Sequence, residues 1–288
     1  MHNMQFPKVS GAAEMFNGCK KQTGDAPGVM FTGVGAVNCK SMFNNCRVFN
    51  GDIGGIRMGV VTEAENMFKD CRQFNNDSFQ DADWTGQKCD GANNMFLNCY
   101  KFNQSLASLP RGFFKKLNTM ESTFQNCHAF AGEGMAGFNF SNVRRFDSVF
   151  SNAGLAGDVD VTGWVIKTNG DVEMRSMFSN CRKVESLVGL PQWNTSRVTN
   201  MKEMFDDCRL LHQDDMYELQ VQNVTNMYRM FFYTEVFTGD LSSWCVPKLA
   251  DASKRSQIFN GSGIQDQLNK HPVWGKCPPR VVSNPIIQ

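Results

Sequence analysis

Cysteine and methionine recur along this chain at spacings that could supply sulfur ligands to a metal ion. The segment VTNMKEMFDDC, residues 198–208, holds two Met, one Phe and one Cys, and similar segments occur elsewhere. Thiolate and thioether groups bind copper(I), zinc and iron–sulfur clusters. With 11 Cys and 17 Met in 288 residues, these side chains either form a metal or redox centre or belong to the core of the fold.

The spacing of the cysteines favours the core. No two cysteines form a Cys-x-x-Cys pair, and those of the recurring pattern fall about 27 residues apart. Structural zinc sites, by contrast, draw on closely spaced pairs. Cys and Met are also among the residues most often buried in protein interiors. The sequence therefore predicts unreactive buried thiols, no metal at the sulfur residues and no cofactor.

The histidines offer no catalytic set. His2, His128, His212 and His271 are scattered, and none is paired in the sequence with a nucleophile and an orienting carboxylate. His128 directly follows Cys127, but neighbouring residues of a helix point about 100° apart. The sequence predicts that the protein is not an enzyme.

Alignment on one phenylalanine divides the chain into ten repeats. This anchor Phe recurs at intervals of 25–28 residues, at Phe16, Phe43, Phe68, Phe96, Phe124, Phe150, Phe178, Phe205, Phe231 and Phe259. A Cys stands three positions after the anchor in seven repeats, and Ala153, Thr234 and Ser262 take that place in the others. A unit of this size buries its apolar face only against its neighbours. The predicted structural core comprises Phe43, Cys46, Phe68, Cys71, Phe96, Cys99, Phe124, Cys127, Phe178, Cys181, Phe205 and Cys208.

A column of acidic residues stands nine positions after the anchor Phe. Its members are Asp25, Asp52, Asp77, Glu133, Asp214 and Asp240. One interpretation is that each Asp caps backbone N–H groups of its own turn, as Asp does in Gly-rich loops. The other is that the column binds a cation such as calcium. The metal candidates on this second interpretation are Asp52, Asp77, Asp214 and Asp240.

A basic stripe directly follows the Cys position. It consists of Arg47, Arg72, Arg182 and Arg209, with Lys20 and His128 at the same place in their repeats. These side chains could pair with the acidic column, dock an anionic ligand, or form a solvated face of mixed charge. The sequence favours the last of these and leaves the others open.

The spacing of the apolar residues predicts a short helix in each repeat. Met201, Met204 and Phe205 stand at i, i+3 and i+4, with Cys208 at i+7, so they share one face of a helix of about two turns. Alternating apolar and small or polar residues after that helix predict a short strand. Neither element buries its apolar face alone, so the repeats must stack.

The predicted fold class is an α/β repeat solenoid of the leucine-rich-repeat kind. It has about ten coils of about 27 residues, each with a short helix and one or two short strands. Residues 1–243 form nine repeats, and residues 244–288 form a C-terminal cap with a degenerate tenth repeat.

The repeats resemble those of the BspA-like leucine-rich-repeat surface proteins. The segments SMFNNCRVFN, NMFKDCRQFN and NMFLNCYKFN carry this likeness, and the tail from residue 240 resembles that family's cap, in which a W-C pair precedes P-x-W-G-x-C-P. The resemblance implies a secreted or envelope-attached protein that binds macromolecules through a solenoid face without enzyme activity. In that cap Cys245 and Cys277 are expected to form a disulfide.

Charge and hydropathy limit the partners. The net charge is +1, with 29 basic and 28 acidic residues, which supplies no field for nucleic acid or an anionic membrane. No apolar run reaches the roughly 18 residues of a membrane-spanning helix. The N-terminus also lacks the apolar core of a signal peptide. We therefore expect neither nucleic-acid binding nor membrane insertion.

Two functions agree with the sequence. The first is a non-catalytic recognition or adhesion module that binds protein or glycan through a solenoid face. The second is a permanent structural subunit of a larger assembly, so the protein is either a monomer or part of a complex. Disulfides persist in oxidising compartments, and six N-x-S/T sequons occur. Both features favour an extracellular, cell-surface or lumenal location.

Overall fold

Hydrogen-bonded turns, rather than helices, surround each anchor Phe. The computed structural model describes residues 4–5, 11–20, 29–30, 36–54, 56, 58–82, 89 and 91–279. In the eighth repeat Glu203 and Asp207, two positions before and after Phe205, have φ angles of 56° and 59°. A residue in this left-handed region interrupts a right-handed helix. The same pair of positions has positive φ in every repeat, from Glu14 and Gly18 to Gln257 and Gly261.

Alternate N–H groups of these turns have different acceptors. One half donate to the carbonyl three residues back, as Met67 does to Ala64 at 3.1 Å. The other half donate to a carbonyl of the next repeat, as Phe68 does to Met95 at 2.9 Å. None of these bonds is the i→i−4 bond of an α-helix. The short helix predicted for each repeat is therefore wrong.

The strands are two to six residues long and pair in parallel. They are β1 Met4–Gln5 with β2 Val29–Met30, β3 Val37–Asn38 with β4 Val61–Glu63, β5 Asn139–Phe140 with β7 Val165–Ile166, β6 Ala156–Asp160 with β9 Lys183–Val188, and β8 Val172–Glu173 with β10 Val198–Asn200. The helical elements are 3₁₀ turns: Met58–Val60, Asp77–Phe79, Leu106–Ser108, Phe113–Lys116, Leu190–Gln192, Asp214–Glu218, Ala252–Lys254 and Leu268–Lys270. Among the described residues, no helix is long and apolar enough to cross a bilayer.

The predicted fold class, an α/β repeat solenoid of the leucine-rich-repeat kind, is wrong. Over the described residues the chain contains no α-helix, and its strands form five separate two-stranded sheets. Left-handed residues break each predicted helix, and the pairing slips between residues such as Gly157 and Asp158, which interrupts a regular ladder. The division of the chain at residue 244 stays a prediction.

The core is lined by aromatic rings from successive repeats. The rings of Phe68 and Phe96 are parallel, with centroids 5.5 Å apart and planes 2° apart, and Phe124 stands 5.4 Å beyond Phe96. All twelve predicted core residues are buried, none more than 4% exposed. Offset stacking of this kind adds about 0.5–1.5 kcal/mol per pair beyond burial. Packing between repeats, rather than regular secondary structure, therefore holds the chain together.

Candidate binding surface

The core cysteines act as hydrogen-bond donors. The thiol of Cys71 donates to the carbonyl oxygen of Phe43 at 3.0 Å, and Cys181 donates to Phe150 at 3.1 Å. Burial raises the pKa of the Cys181 thiol to about 12 and holds that of Cys71 well above its ordinary value. These thiols are therefore neutral and hydrogen-bonded within the core. Metal binding and nucleophilic attack, by contrast, need the thiolate form.

The four acidic metal candidates each accept a hydrogen bond from a neutral donor. The pairs are Asp52 with the Gly54 N–H at 2.8 Å, Asp77 with the Gln104 amide at 3.3 Å, Asp214 with the Thr238 hydroxyl at 2.9 Å, and Asp240 with the Ser242 N–H at 2.9 Å. Across the described ranges no three His, Cys, Asp or Glu side chains meet in a group that could hold a metal ion. Asp25 lies outside the described residues.

The basic stripe is paired in part with carboxylates of another column. One carboxylate, that of Asp207, holds the Nε atoms of Arg182 and Arg209 at 2.6 and 2.7 Å. Arg47 donates from Nε to the Asn45 side chain at 3.2 Å. The fourth member, Arg72, lies over an aromatic ring, as described below. Arg209 also lies 3.6 Å from the carboxylate of Glu235. Among the described residues, the carboxylates held by these arginines thus stand two and four positions after an anchor Phe, not nine.

A row of side-chain amides runs along the surface two positions after the anchor Phe. Asn98 donates to Asp70 at 2.8 Å, Asn126 to Asn98 at 2.7 Å, and Asn152 to Asn126 at 2.9 Å. All four have positive φ, a conformation that Asn and Asp tolerate better than most residues. This row is not predicted from the sequence, because the spacing of the apolar residues placed these positions on a helix. Their recurrence in MFxxC segments was the available signal.

Beside this row, three side chains of successive repeats stack on one another. The Arg72 guanidinium lies 5.4 Å from the centre of the Tyr100 ring. On the next repeat the His128 ring is parallel to Tyr100 within 8°, with centroids 4.8 Å apart. The Nε2 atom of His128 lies 3.1 Å from the Asn152 amide nitrogen, which ties the stack to the amide row. Arg72 and His128 belong to the basic stripe predicted from the sequence, whereas Tyr100 between them was not predicted.

The stack ends at a gap, because the next repeat has Gly154 at the corresponding position. A Cβ on Gly154 would overlap the carbonyl oxygen of His128, so the backbone approach leaves no room for a side chain. The resulting Gly154 slot has a volume of 240 Å³ and is lined chiefly by His128, Asn152, Asn180, Arg182 and Lys183. An aromatic face, two amides and two cations thus converge on one opening.

A known family matches the chain. The family model described as "Mycoplasma protein of unknown function, DUF285" matches residues 1–109, 113–186 and 160–270. The chain belongs to this family. DUF285 repeats fall in the wider context of the BspA-like surface repeat proteins, so the predicted resemblance is confirmed in this coarser form. No curated protein and no solved structure matches the chain.

The C-terminal part of this DUF285 protein holds a disulfide and two of the tryptophans. Cys245 is bonded to Cys277. Trp244 is buried, with 1% of its surface exposed, and its indole N–H donates to the carbonyl of Met216 at 2.9 Å. Trp274 packs against the last anchor ring, Phe259, at 6.4 Å. Trp274 therefore packs on the anchor ring of the final repeat, whereas Trp244 packs against Phe231 of the repeat before it, at 6.2 Å.

The surface of this DUF285 protein carries groups that are suited to binding. We call the amide row, the stack and Arg182 together the polar strip, consisting of Asp70, Asn98, Asn126, Asn152, Arg72, Tyr100, His128 and Arg182. Its groups are hydrogen-bond donors, acceptors, aromatic faces and cations held in fixed positions. Such groups recognise hydroxyl, carboxylate and ring surfaces of a ligand.

Proposed function

We propose that this DUF285 protein is a non-catalytic recognition or adhesion module that binds glycan or protein through the polar strip. The observation that carries the proposal is the continuity of the strip over the third to sixth repeats, with Arg182 of the seventh repeat on the far side of the Gly154 slot. Side chains already fixed by hydrogen bonds and stacking lose little freedom when a ligand arrives. A row of prearranged polar groups is therefore suited to an extended, polar partner.

Location at the cell surface, outside the cell or in a lumenal compartment is part of the same proposal. The Cys245–Cys277 disulfide supports it, because disulfides persist in oxidising compartments. The finer resemblance, to BspA-like repeats of the Met-Phe-x-x-Cys type with their W-C and P-x-W-G-x-C-P cap, also supports it. Non-reducing peptide mapping of protein from its native source should recover the linked peptides. Two free thiols there would remove this support.

The test of function compares two tyrosines in similar surroundings. Tyr100 lies beneath Arg72 in the polar strip, whereas Tyr228 lies beneath Lys202, also 5.4 Å away, outside the strip. Binding of the folded protein to panels of glycans and extracellular-matrix proteins is measured by surface plasmon resonance. Tyr100→Ala should weaken the interaction about tenfold, as expected for loss of a central aromatic contact, and Tyr228→Ala should leave it unchanged.

Two results would count against this function. Equal losses in the two variants would show that the strip is not the binding face, and no binding on either panel would remove the recognition role. The alternative, a permanent subunit of a larger assembly, predicts instead that the native protein purifies with stoichiometric partners.

A further inference from the structure

We propose that the Gly154 slot binds the ring of an acidic sugar, a pyranose that carries a carboxylate. This inference rests on the proposed recognition function and names the ligand chemistry for one site on the polar strip. The sugar ring lies against His128, its hydroxyls meet Asn152 and Asn180, and its carboxylate meets Arg182 and Lys183.

The slot accommodates one layer. The anchor ring Phe150 of the slot's own repeat stands 5.6 Å from both Phe124 and Phe178 in the flanking repeats. Side chains project from the flanking repeats at His128 and Arg182, and none projects from Gly154 between them. The flanking side chains are thus two repeat steps apart, and the space between them is filled by a single ring layer.

The imidazole of His128 offers an aromatic face to this layer. Tyr100 covers one face of the ring at 4.8 Å, from the preceding repeat. The opposite face is directed towards the following repeat, where Gly154 stands. Aromatic faces carry partial negative charge and attract polarised C–H groups, such as those on the apolar face of a pyranose. A sugar ring in the slot would extend the stack formed by Arg72, Tyr100 and His128.

The amides of the slot are oriented for hydroxyl groups. The Asn152 nitrogen lies within hydrogen-bond distance of Asn126 and His128, at 2.9 and 3.1 Å, and this fixes the plane of the amide. Asn180 donates to the hydroxyl of Ser179 at 2.9 Å. With both nitrogens engaged, the amide oxygens of Asn152 and Asn180 are suited to accept hydrogen bonds from sugar hydroxyls.

The cations of the slot select for a carboxylate. Asp207 holds the Nε atom of Arg182 at 2.6 Å, and the Arg182 side chain remains 60% exposed. Lys183, the first residue of β9, is exposed beside it. Asp207 also pairs with Arg209, which has a second partner in Glu235 at 3.6 Å, so two carboxylates offset the two arginines and Lys183 supplies the remaining positive charge. The positive charge that remains favours an acidic sugar over a neutral one, through charge-assisted hydrogen bonds.

The direct test measures binding of small sugars by saturation-transfer NMR and by titration. The probes are sialyllactose and methyl glucuronide, which represent two sources of the same acidic ring, together with neutral lactose and a hexa-aspartate peptide. We expect at least one of the two acidic sugars to bind. Saturation should be transferred from the protein to the protons of its carboxylated ring. Lactose and the peptide should bind at least about tenfold more weakly. Lactose lacks the carboxylate that makes the charge-assisted hydrogen bond, and the peptide lacks a ring that fits the slot.

Matched variants locate the site. Lys183 and Lys101 are exposed lysines five positions after their anchor Phe, three repeats apart. Asn180 and Asn45 both have a φ of 61° two positions after theirs, and Asp tolerates that conformation. Lys183→Glu and Asn180→Asp should each weaken acidic-sugar binding by about tenfold or more. Lys101→Glu and Asn45→Asp should change it by less than about twofold, because solvent screens distant charges.

Several outcomes overturn the proposal. The native protein could fail to bind either acidic sugar, or it could bind lactose or the peptide as tightly as the acidic sugars. The slot variants and the control variants could also have equal effects on binding while remaining folded. If the Tyr100→Ala variant still loses its ligand on the panels while the slot variants are silent, the recognition function stands and the slot proposal alone fails.

Discussion

The thiol of Cys99 donates a hydrogen bond to the backbone carbonyl of Phe68, with 3.0 Å between Sγ and O. The same carbonyl accepts the N–H of Cys71, also at 3.0 Å, so both of its lone pairs are used within the core. The donor belongs to one repeat and the acceptor to the repeat before it. Each such thiol therefore contributes to the register between neighbouring repeats as well as to packing.

The first prediction tests this bond. Cys99→Val keeps an apolar side chain but removes the donor, and it should lower the free energy of unfolding by about 1 kcal/mol, the typical net value of one hydrogen bond. Urea denaturation followed by circular dichroism measures the change. Conversely, Ala153→Cys should stabilise the protein, because it adds a thiol at the Cys position after Phe150. A Cys99→Val variant as stable as the native protein would show that the thiol acts only through its volume.

The second prediction concerns the stacked anchor rings. Phe124 is 1% exposed and stacks between Phe96 and Phe150, at 5.4 and 5.6 Å. Phe124→Ala should lower the free energy of unfolding by about 3–5 kcal/mol, because it leaves a cavity in a packed core. Tyr217, which is 51% exposed, provides the control, and Tyr217→Ala should change stability by less than about 0.5 kcal/mol. A loss below about 1 kcal/mol for Phe124→Ala would contradict the packing described here.

The third prediction concerns thiol reactivity. Cys71, Cys99 and Cys127 should resist iodoacetamide in the native state, because burial raises their pKa values and blocks access to the reagent. Cys19 is only partly buried and should be alkylated first. Mass spectrometry of peptides after timed labelling at pH 8 distinguishes these sites. Labelling of Cys99 as rapid as that of Cys19 in folded protein would count against the burial of the thiols.

The fourth prediction is a dependence of stability on pH. Hydrogen bonds from Ser242 lower the pKa of Asp240 in the folded protein. This stabilisation is present above the unfolded-state pKa of about 3.9 and is lost as the pH falls through the lower folded-state pKa. Asp240→Asn should therefore lower stability at pH 7, and the difference from the native protein should shrink towards pH 2. Urea denaturation at both pH values measures it.

A double-mutant cycle provides the control for Asp240. In a Ser242→Ala background, the loss of stability caused by Asp240→Asn should depend less on pH, because the hydroxyl donor to Asp240 has been removed. A difference between Asp240→Asn and the native protein that stays constant with pH would contradict the assigned cause.

Local sequence could predict burial at the anchor and Cys positions but not the backbone that carries them. Phe205 and Cys208 are both fully buried, as their recurrence indicated. The spacing between them fits one face of a helix, yet Glu203 and Asp207 adopt left-handed conformations. Glu has little intrinsic preference for that region. The bond that the Glu203 N–H donates to the Tyr228 carbonyl of the next repeat, at 2.8 Å, favours it. That bond exists only after the repeats have packed.

The candidate binding surface shows the same limit. The basic residues after each Cys were visible in the sequence, including Arg72, His128 and Arg182. Their partners were not, because Tyr100 and Asp207 come close to them only from neighbouring repeats, 25 to 28 residues away. The Gly154 slot could not be predicted from the sequence for a related reason. A glycine at one position creates a slot only when side chains of the two flanking repeats line it.

The sequence by itself determined which residues form the core, the family of the repeats and the spacing at which side chains recur. Burial of Phe43, Cys46 and their counterparts follows from hydrophobicity and periodicity, which are local properties of the chain. Tertiary structure alone decided the turn conformation, the amide row through Asn98 and Asn126, and the slot. Each of these depends on hydrogen bonds or contacts between repeats, whose energies become available only when residues distant in sequence come within a few ångströms of one another.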